Sequence, residues 1–204
     1  MKRLSALTGA LLLTAFTVVG CQRYMHDDGW VTLIDGKKGL ENFDRVGDAN
    51  WRGQHDYIVA DQGKGGYLVS KKSYKDFVLR AEFWADHTTN SGIHFRMADR
   101  KKVSSATSYE ANIYDQTPNP QNGTGAINNV ASVRPGAHKA GGQWNNYEVT
   151  AIGSEITVKL NGVVTVHTSD TKFKEGPIAL QYGAGPKGMR GGTIRWRHLE
   201  IKEL

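Results

Sequence analysis

The chain has 204 residues, a formal charge of +6 and one cysteine. That length suits a single domain, and a lone cysteine excludes an intrachain disulfide. The basic residues fall in short groups, Lys37-Lys38, Lys71-Lys72 and Arg100-Lys101-Lys102, with no binding motif around them, so no nucleic-acid partner is expected.

The N-terminus reads as an export signal. Met1-Lys2-Arg3 is basic, Leu4 to Val19 is largely apolar, and Gly20-Cys21 follows. The apolar run is short for a stable membrane span. Val18-Val19-Gly20-Cys21 resembles a bacterial lipobox, in which the cysteine becomes the first mature residue and carries lipid. The expectation is a signal peptide over 1–20, a lipid-anchored tether over 21–29 and one domain over 30–204. A lipid at Cys21 would make this an exported cell-envelope protein, with the outer membrane favoured because Gln22, not Asp, follows. Loss of Lys2 and Arg3 with the leader takes the charge from +6 to +4.

From Trp30 onward, short alternating runs are separated by glycine, and no sustained helical spacing occurs. The predicted strands, in order, are Trp30–Ile34, Tyr57–Ala60, Tyr67–Ser70, Phe77–Ala85, Gly92–Met97 and Tyr109–Tyr114. Asn145–Ile152, Glu155–Leu160, Val163–Thr168, Gly176–Gln181 and Thr193–Lys202 follow. Gly39 to Phe43 holds at most one helical turn. Leu160-Asn161-Gly162-Val163 predicts a tight hairpin, because Asn and Gly both tolerate positive φ. Eleven short strands with glycine-rich turns indicate an all-β jelly-roll sandwich of two antiparallel sheets, one with a concave binding face. Asp115 to Gly142 and Gly183 to Gly192 are the long irregular segments, and each is placed to wall a site.

Three of the strands carry unusual chemistry on their polar side. Alternation puts Leu79, Ala81 and Phe83 on one face and Arg80, Glu82 and Trp84 on the other. Ile93 and Phe95 alternate with His94 and Arg96. Ala111 and Ile113 alternate with Glu110, Asn112 and Tyr114. If the three strands share a sheet, Glu82, His94, Arg96, Glu110 and Asn112 converge on one surface, as in a site that grips a polar ligand or moves protons. Asp115 either joins that site or caps the following loop.

Several short motifs then follow in order: Gly29 to Gly36, Tyr74 to Phe77, Asn90 to Arg96, Tyr109 to Asp115, Gln143 to Asn145, Leu160 to Gly162, and Gly176 to Gln181. Together they resemble the bacterial 3-keto-disaccharide hydrolase domain, also described as a 3-keto-glucoside 1,2-lyase or 3-keto-2-hydroxy-glucal hydratase domain. The resemblance spans Trp30 to Leu204. It implies a concanavalin A-like sandwich, export, frequent lipid anchoring and action on glycosides oxidised at carbon 3. One departure bears on substrate preference: the family often has a compact loop with Gly and Tyr after the Asp115 position, and Thr117 to Ser132 holds no aromatic.

A ketone at carbon 3 acidifies the proton on carbon 2. Its removal gives an enolate that expels the group on carbon 1, and water then adds to the enone. Such a site needs a base, a partner for the enolate oxygen and an acid for the leaving oxygen. Glu110 or His94 would be the base, and Arg96 or a bound divalent metal would stabilise the enolate. Glu82 would be the acid or would orient His94. Asn90, Asn112, Asp115 and Gln181 would contact sugar hydroxyls, with Trp84 stacking on a ring. His94, Glu110 and Asp115 are acceptable metal ligands by type but not by spacing. The partners implied are an oxidised glycoside or disaccharide and, through Cys21, a membrane.

Two other functions compete. A retaining glycosidase on a similar jelly roll needs two carboxylates on one face, whereas Glu110 and Asp115 sit five apart and a regular strand separates them. A non-catalytic sugar-binding module needs platforms and amides but no acid–base set.

Overall fold

The computed structural model describes residues 28–134, 137–183 and 191–204. The expected signal and lipidation segment, Cys21 included, lies outside these residues, as does most of the second long loop. Two antiparallel sheets pack around one core. Thirteen strands build them: β1 (Trp30–Asp35), β2 (Phe43–Gly47), β3 (Arg52–Gln54), β4 (Tyr57–Ala60), β5 (Gly66–Tyr74), β6 (Phe77–Ala85), β7 (Asn90–Phe95), β8 (Tyr109–Tyr114), β9 (Trp144–Ile152), β10 (Glu155–Leu160), β11 (Val163–Ser169), β12 (Gly176–Tyr182) and β13 (Ile194–Glu203). The larger sheet runs β11-β10-β9-β6-β13-β4-β3, with β1 also paired to β13, and the smaller runs β2-β5-β12-β7-β8.

Every strand expected from alternation is present. β2 and β3 were not expected, because each is short and lacks an alternating stripe: β2 buries only Phe43, and β3 buries nothing. Leu40–Asn42 forms the expected helical turn, and Pro120–Asn122 forms a second. The β10–β11 hairpin turns through Asn161 at φ 51° and Gly162 at φ 80°, the two left-handed positions that a type I′ turn requires.

The period-2 pattern decides what is inside. Leu79, Ala81 and Phe83 of the larger sheet face Ile93, Phe95, Tyr109, Ala111, Ile113 and Leu180 of the smaller across the core. Phe83 lies 5.1 Å from the Tyr147 ring and 5.5 Å from Trp196. Truncating a ring so placed costs about 3–5 kcal/mol.

Two polar ties fix the ends of the sandwich. Arg96 follows β7 with φ 52°, which turns its side chain away from the strand's alternation. It is 1% exposed. Its guanidinium donates to the Lys75 carbonyl at 2.8 Å, the Gly153 carbonyl at 2.7 Å and Asp76 at 3.0 Å, so one side chain joins the β5–β6 and β9–β10 turns. The other tie is Tyr147 of β9, which crosses the core. Its hydroxyl donates to the Asn112 carbonyl at 2.5 Å and accepts from the Gly125 amide at 2.9 Å.

The long segment after β8 does not stand free. Asn112 N–H donates to the Ala126 carbonyl and Asn128 N–H to the Glu110 carbonyl, at 3.0 and 2.9 Å. The segment thus runs along the open edge of β8 and occupies backbone groups that an edge strand would otherwise expose.

Candidate active site

The outer face of the smaller sheet holds the site. β7 and β8 pair in a register that sets His94 opposite Glu110, Gly92 opposite Asn112 and Asn90 opposite Tyr114. β12 sets Ala179 beside His94, and Gln181 pairs with Tyr67 of β5. Gly92 and Ala179 are small, so the larger side chains around them enclose a hollow. A Cβ on Gly92 would meet Glu110 Oε1 at 2.9 Å, so the carboxylate occupies the space that glycine leaves. The hollow measures about 280 Å³ and is lined by Tyr67, Asn90, His94, Glu110, Asn112, Tyr114 and Gln181, with Ser104, Ser105, Asn122 and Asn128 from the loops.

Glu110 is 3% exposed and His94 1%. His94 Nε2 lies 3.3 Å from Glu110 Oε1, but too bent for a full hydrogen bond. On the ring's other side, Nδ1 is 2.8 Å from Ser108 Oγ. The second Glu110 oxygen accepts from the Asn128 amide at 2.7 Å. Burial, the largest influence, pushes the Glu110 carboxyl up. The charge and contact of His94 and the amide of Asn128 outweigh it, and the group ends below its ordinary value. Tyr67 meets His94 edge-on with centroids 5.5 Å apart. Burial raises its phenol above the ordinary value, against a lowering bond from Gln181 and with a further rise from Glu110, so it keeps its proton at neutral pH. Gln181 Nε2 donates to that hydroxyl at 3.4 Å, which leaves the phenolic hydrogen free to donate.

Buried polar atoms without a protein partner are concentrated here. Among the described residues, such atoms include Asn122 Oδ1, Asn128 Oδ1, Gln181 Oε1 and His94 Nε2, and all four residues line this one hollow. Three are amide oxygens and can only accept.

Four expected site residues stand elsewhere. Phe77–Ala85 belongs to the larger sheet, so Glu82 and Trp84 point outward on the opposite side of the sandwich. There Glu82 accepts from Arg197 Nε at 2.9 Å, and Arg195 covers the Trp84 ring at 4.2 Å from its centroid. Alternation assigns a face within a strand, but it does not say which sheet the strand joins. Arg96 is committed to the two turns described above, because strand geometry ends at Phe95. Asp115 organises the loop: it accepts from Thr124 Oγ1 at 2.6 Å, from Ala140 N–H at 3.0 Å and from Gly141 N–H at 2.9 Å. Asn112 and Gln181 stay at the hollow, though Asn112 spends its amide on the Asn122 carbonyl. Asn90 lines the rim.

The residues that sequence reasoning missed are Tyr67, Ser108, Asn122 and Asn128. Only Tyr67 had a signal, since it opens an alternating run. The other three reach the site through loops. Among the described residues, no three His, Cys, Asp or Glu side chains gather as a metal site.

A larger hollow of about 510 Å³ lies on the outer face of the larger sheet, lined by Arg80, Glu82, Glu148, Lys159, His198 and Glu200 among others. Its charges satisfy one another: Arg80 lies 3.1 Å from Glu148 and 3.6 Å from Glu200, and Lys159 is 2.8 Å from Glu148.

No curated protein sequence matches the chain. Solved structures match its fold. A candidate glycosyl hydrolase from Parabacteroides distasonis ATCC 8503 is 23% identical with a TM-score of 0.68, over 86% of this chain and 99% of the other. A second from the same organism is 24% identical with a TM-score of 0.66, over 87% and 84%. Carbohydrate-binding module CBM66 from Bacillus subtilis is 14% identical with a TM-score of 0.57, over 86% and 96%. The sequence of motifs and this architecture agree with the family model that matches residues 29–202, and the chain belongs to the 3-keto-alpha-glucoside-1,2-lyase-like domain family.

Proposed function

We propose that the hollow binds one sugar ring oxidised at carbon 3 and cleaves its glycosidic bond by elimination and hydration. The observation that carries this reading is Glu110, an ionised carboxylate nearly sealed in a hollow whose free polar atoms are mostly acceptors. Amide oxygens of Asn122, Asn128 and Gln181 call for donors, and sugar hydroxyls supply them. Each such bond is worth about 0.5–1.5 kcal/mol net.

Glu110 takes the carbon 2 proton, and the C–H electron pair becomes the enolate. The Tyr67 hydroxyl, which keeps its proton, donates to the oxygen that gains charge. Collapse of the enolate breaks the bond from carbon 1 to the leaving oxygen, and the proton held by Glu110 passes to that oxygen. Water then adds across the enone, its hydroxyl at carbon 1 and its proton at carbon 2. The net change is one water consumed and one glycosidic bond broken, with no redox step. Tyr67 takes the part that sequence reasoning gave to Arg96, and Glu110 itself takes the acid's part given to Glu82.

Ordinary glycoside hydrolysis fits less well, because it asks for two working carboxylates about 5–9 Å apart. Glu82 is on the opposite side of the sandwich and Asp115 is consumed by its loop. The family and the sugar-related neighbours add to the keto-sugar reading. Export with lipid at Cys21 is part of the same proposal, and it is tested by whether a Cys21→Ala form loses membrane association.

Incubation with trehalose and with 3-keto-trehalose tests the reaction. Cleavage of the keto sugar alone is the expected result. Cleavage of the parent sugar would favour a glycosidase, and binding of either without cleavage would favour a sugar-binding module; both would overturn the proposal.

A further inference from the structure

Ser108 lies at the foot of β8 and makes two contacts. Its hydroxyl donates to the Ser104 carbonyl at 2.8 Å, and it sits 2.8 Å from His94 Nδ1. A serine hydroxyl has one hydrogen, and a carbonyl oxygen can only accept. The hydrogen is therefore spent on Ser104, and Ser108 must accept from His94. That fixes a hydrogen on Nδ1.

The consequence falls on the other ring nitrogen. Nε2 faces Glu110 Oε1 at 3.3 Å, and both residues are almost fully buried. Two lone pairs confronting each other there, away from water, repel. One proton between them removes the repulsion, and the second carboxylate oxygen already accepts from Asn128. Around the ring, β5 brings Tyr67 in a T-shaped contact, β12 brings Ala179, and β8 brings Glu110. Nε2 faces the Glu110 carboxylate at 3.3 Å, so the ring acts on a substrate through that carboxylate.

We propose that Ser108 is a positioning residue: by holding the hydrogen on His94 Nδ1, it turns Nε2 toward Glu110 and makes the two residues a dyad that stores one proton in the gap. This rests on the reading of Glu110 as the base. It settles which member of the pair meets carbon 2, since His94 acts behind the carboxylate and holds it in place. Which ring nitrogen is protonated is set by the hydrogen bond that the other makes, so the relay begins at the Ser104 carbonyl.

The test is ¹⁵N NMR of the histidine rings in the whole protein, with the His94 signals assigned by comparison with a His94→Gln form. It needs no substrate, so it stands or falls apart from the reaction. At a pH where the ring is neutral, the hydrogen is expected on Nδ1. In Ser108→Ala, where that acceptor is gone, it is expected to move to Nε2 and point at Glu110. In the cleavage assay the same variant should lower kcat about tenfold, roughly 1.4 kcal/mol, with KM nearly unchanged. A neutral His94 in the unaltered protein with its hydrogen on Nε2 would overturn the proposal, whether or not the alanine form folds. So would His94 signals that Ser108→Ala leaves in place.

Discussion

The two outer faces of the sandwich both carry ionisable residues, and they differ in how those residues are partnered. On the larger sheet, Arg80, Glu82, Glu148, Lys159, Arg197 and Glu200 pair with one another in reach of water. On the smaller, Glu110 and His94 are buried together, and amide oxygens around them have no protein partner. The larger hollow lies on the first face, yet its charges are already satisfied. Sites are marked by polar groups that the fold buries and leaves incomplete, because burial without a partner costs free energy that a ligand can return. Neither the size of a hollow nor the number of charges in it makes that distinction.

The comparison breaks most visibly through its two glutamates. Glu110→Gln keeps the shape and removes the base, and cleavage of a 3-keto-glycoside should fall by about 10²–10⁴-fold. Glu82→Gln should leave the rate within about twofold, because Glu82 and its partner Arg197 lie on the far face, away from the hollow. Equal losses from both substitutions would erase the distinction between the faces.

Arg96→Ala removes three hydrogen bonds from a buried guanidinium and leaves the Lys75 and Gly153 carbonyls without that donor. Denaturant unfolding should show a loss of about 2–3 kcal/mol, with the KM of the remaining folded protein close to normal. A KM effect without a stability effect would return Arg96 to the site.

Tyr67→Phe keeps the ring against His94 and removes the donor. The account expects kcat to fall about 10–100-fold, of the order lost with one hydrogen-bond donor in a water-excluded site, and the fold to persist. An unchanged kcat would take Tyr67 out of the enolate's surroundings.

The smallest effect is on the pH dependence of stability. The folded Glu110 carboxyl lies below its ordinary value of 4.5, so its contribution is fully present above that pH and is lost as pH falls through the lower folded value. Glu110→Gln should flatten the stability curve below about pH 4.5. An acid limb identical to that of the unaltered protein would show that Glu110 is not held ionised by its surroundings.

Most of the fold was legible in the sequence, because a half-buried strand writes its two faces as alternation. Phe77 to Ala85 and Tyr109 to Tyr114 are clear in that respect, and the Asn161-Gly162 turn needs only its two residues. β2 and β3 were silent since they bury little. The site was legible where it lies on strands, Tyr67 of β5 excepted. Glu110, His94 and Asn112 were found by parity and Gln181 through the Gly176 to Gln181 motif, and they share a face because β7, β8 and β12 share a sheet. Glu82 and Trp84 obey the same parity and end on the opposite side, since alternation carries no information on strand partnership. Arg96 escapes parity through one left-handed residue. Ser108, Asn122 and Asn128 come from loops, where neither periodicity nor spacing places a side chain.

The central claim is that the carboxylate of Glu110 removes the proton from carbon 2 of a ketone-bearing sugar. Its most direct test is turnover of a 3-keto-glycoside deuterated at carbon 2, beside the unlabelled compound. The account predicts a slower reaction for the deuterated sugar and loss of the label to solvent in the product. Equal rates with the deuterium retained would contradict it.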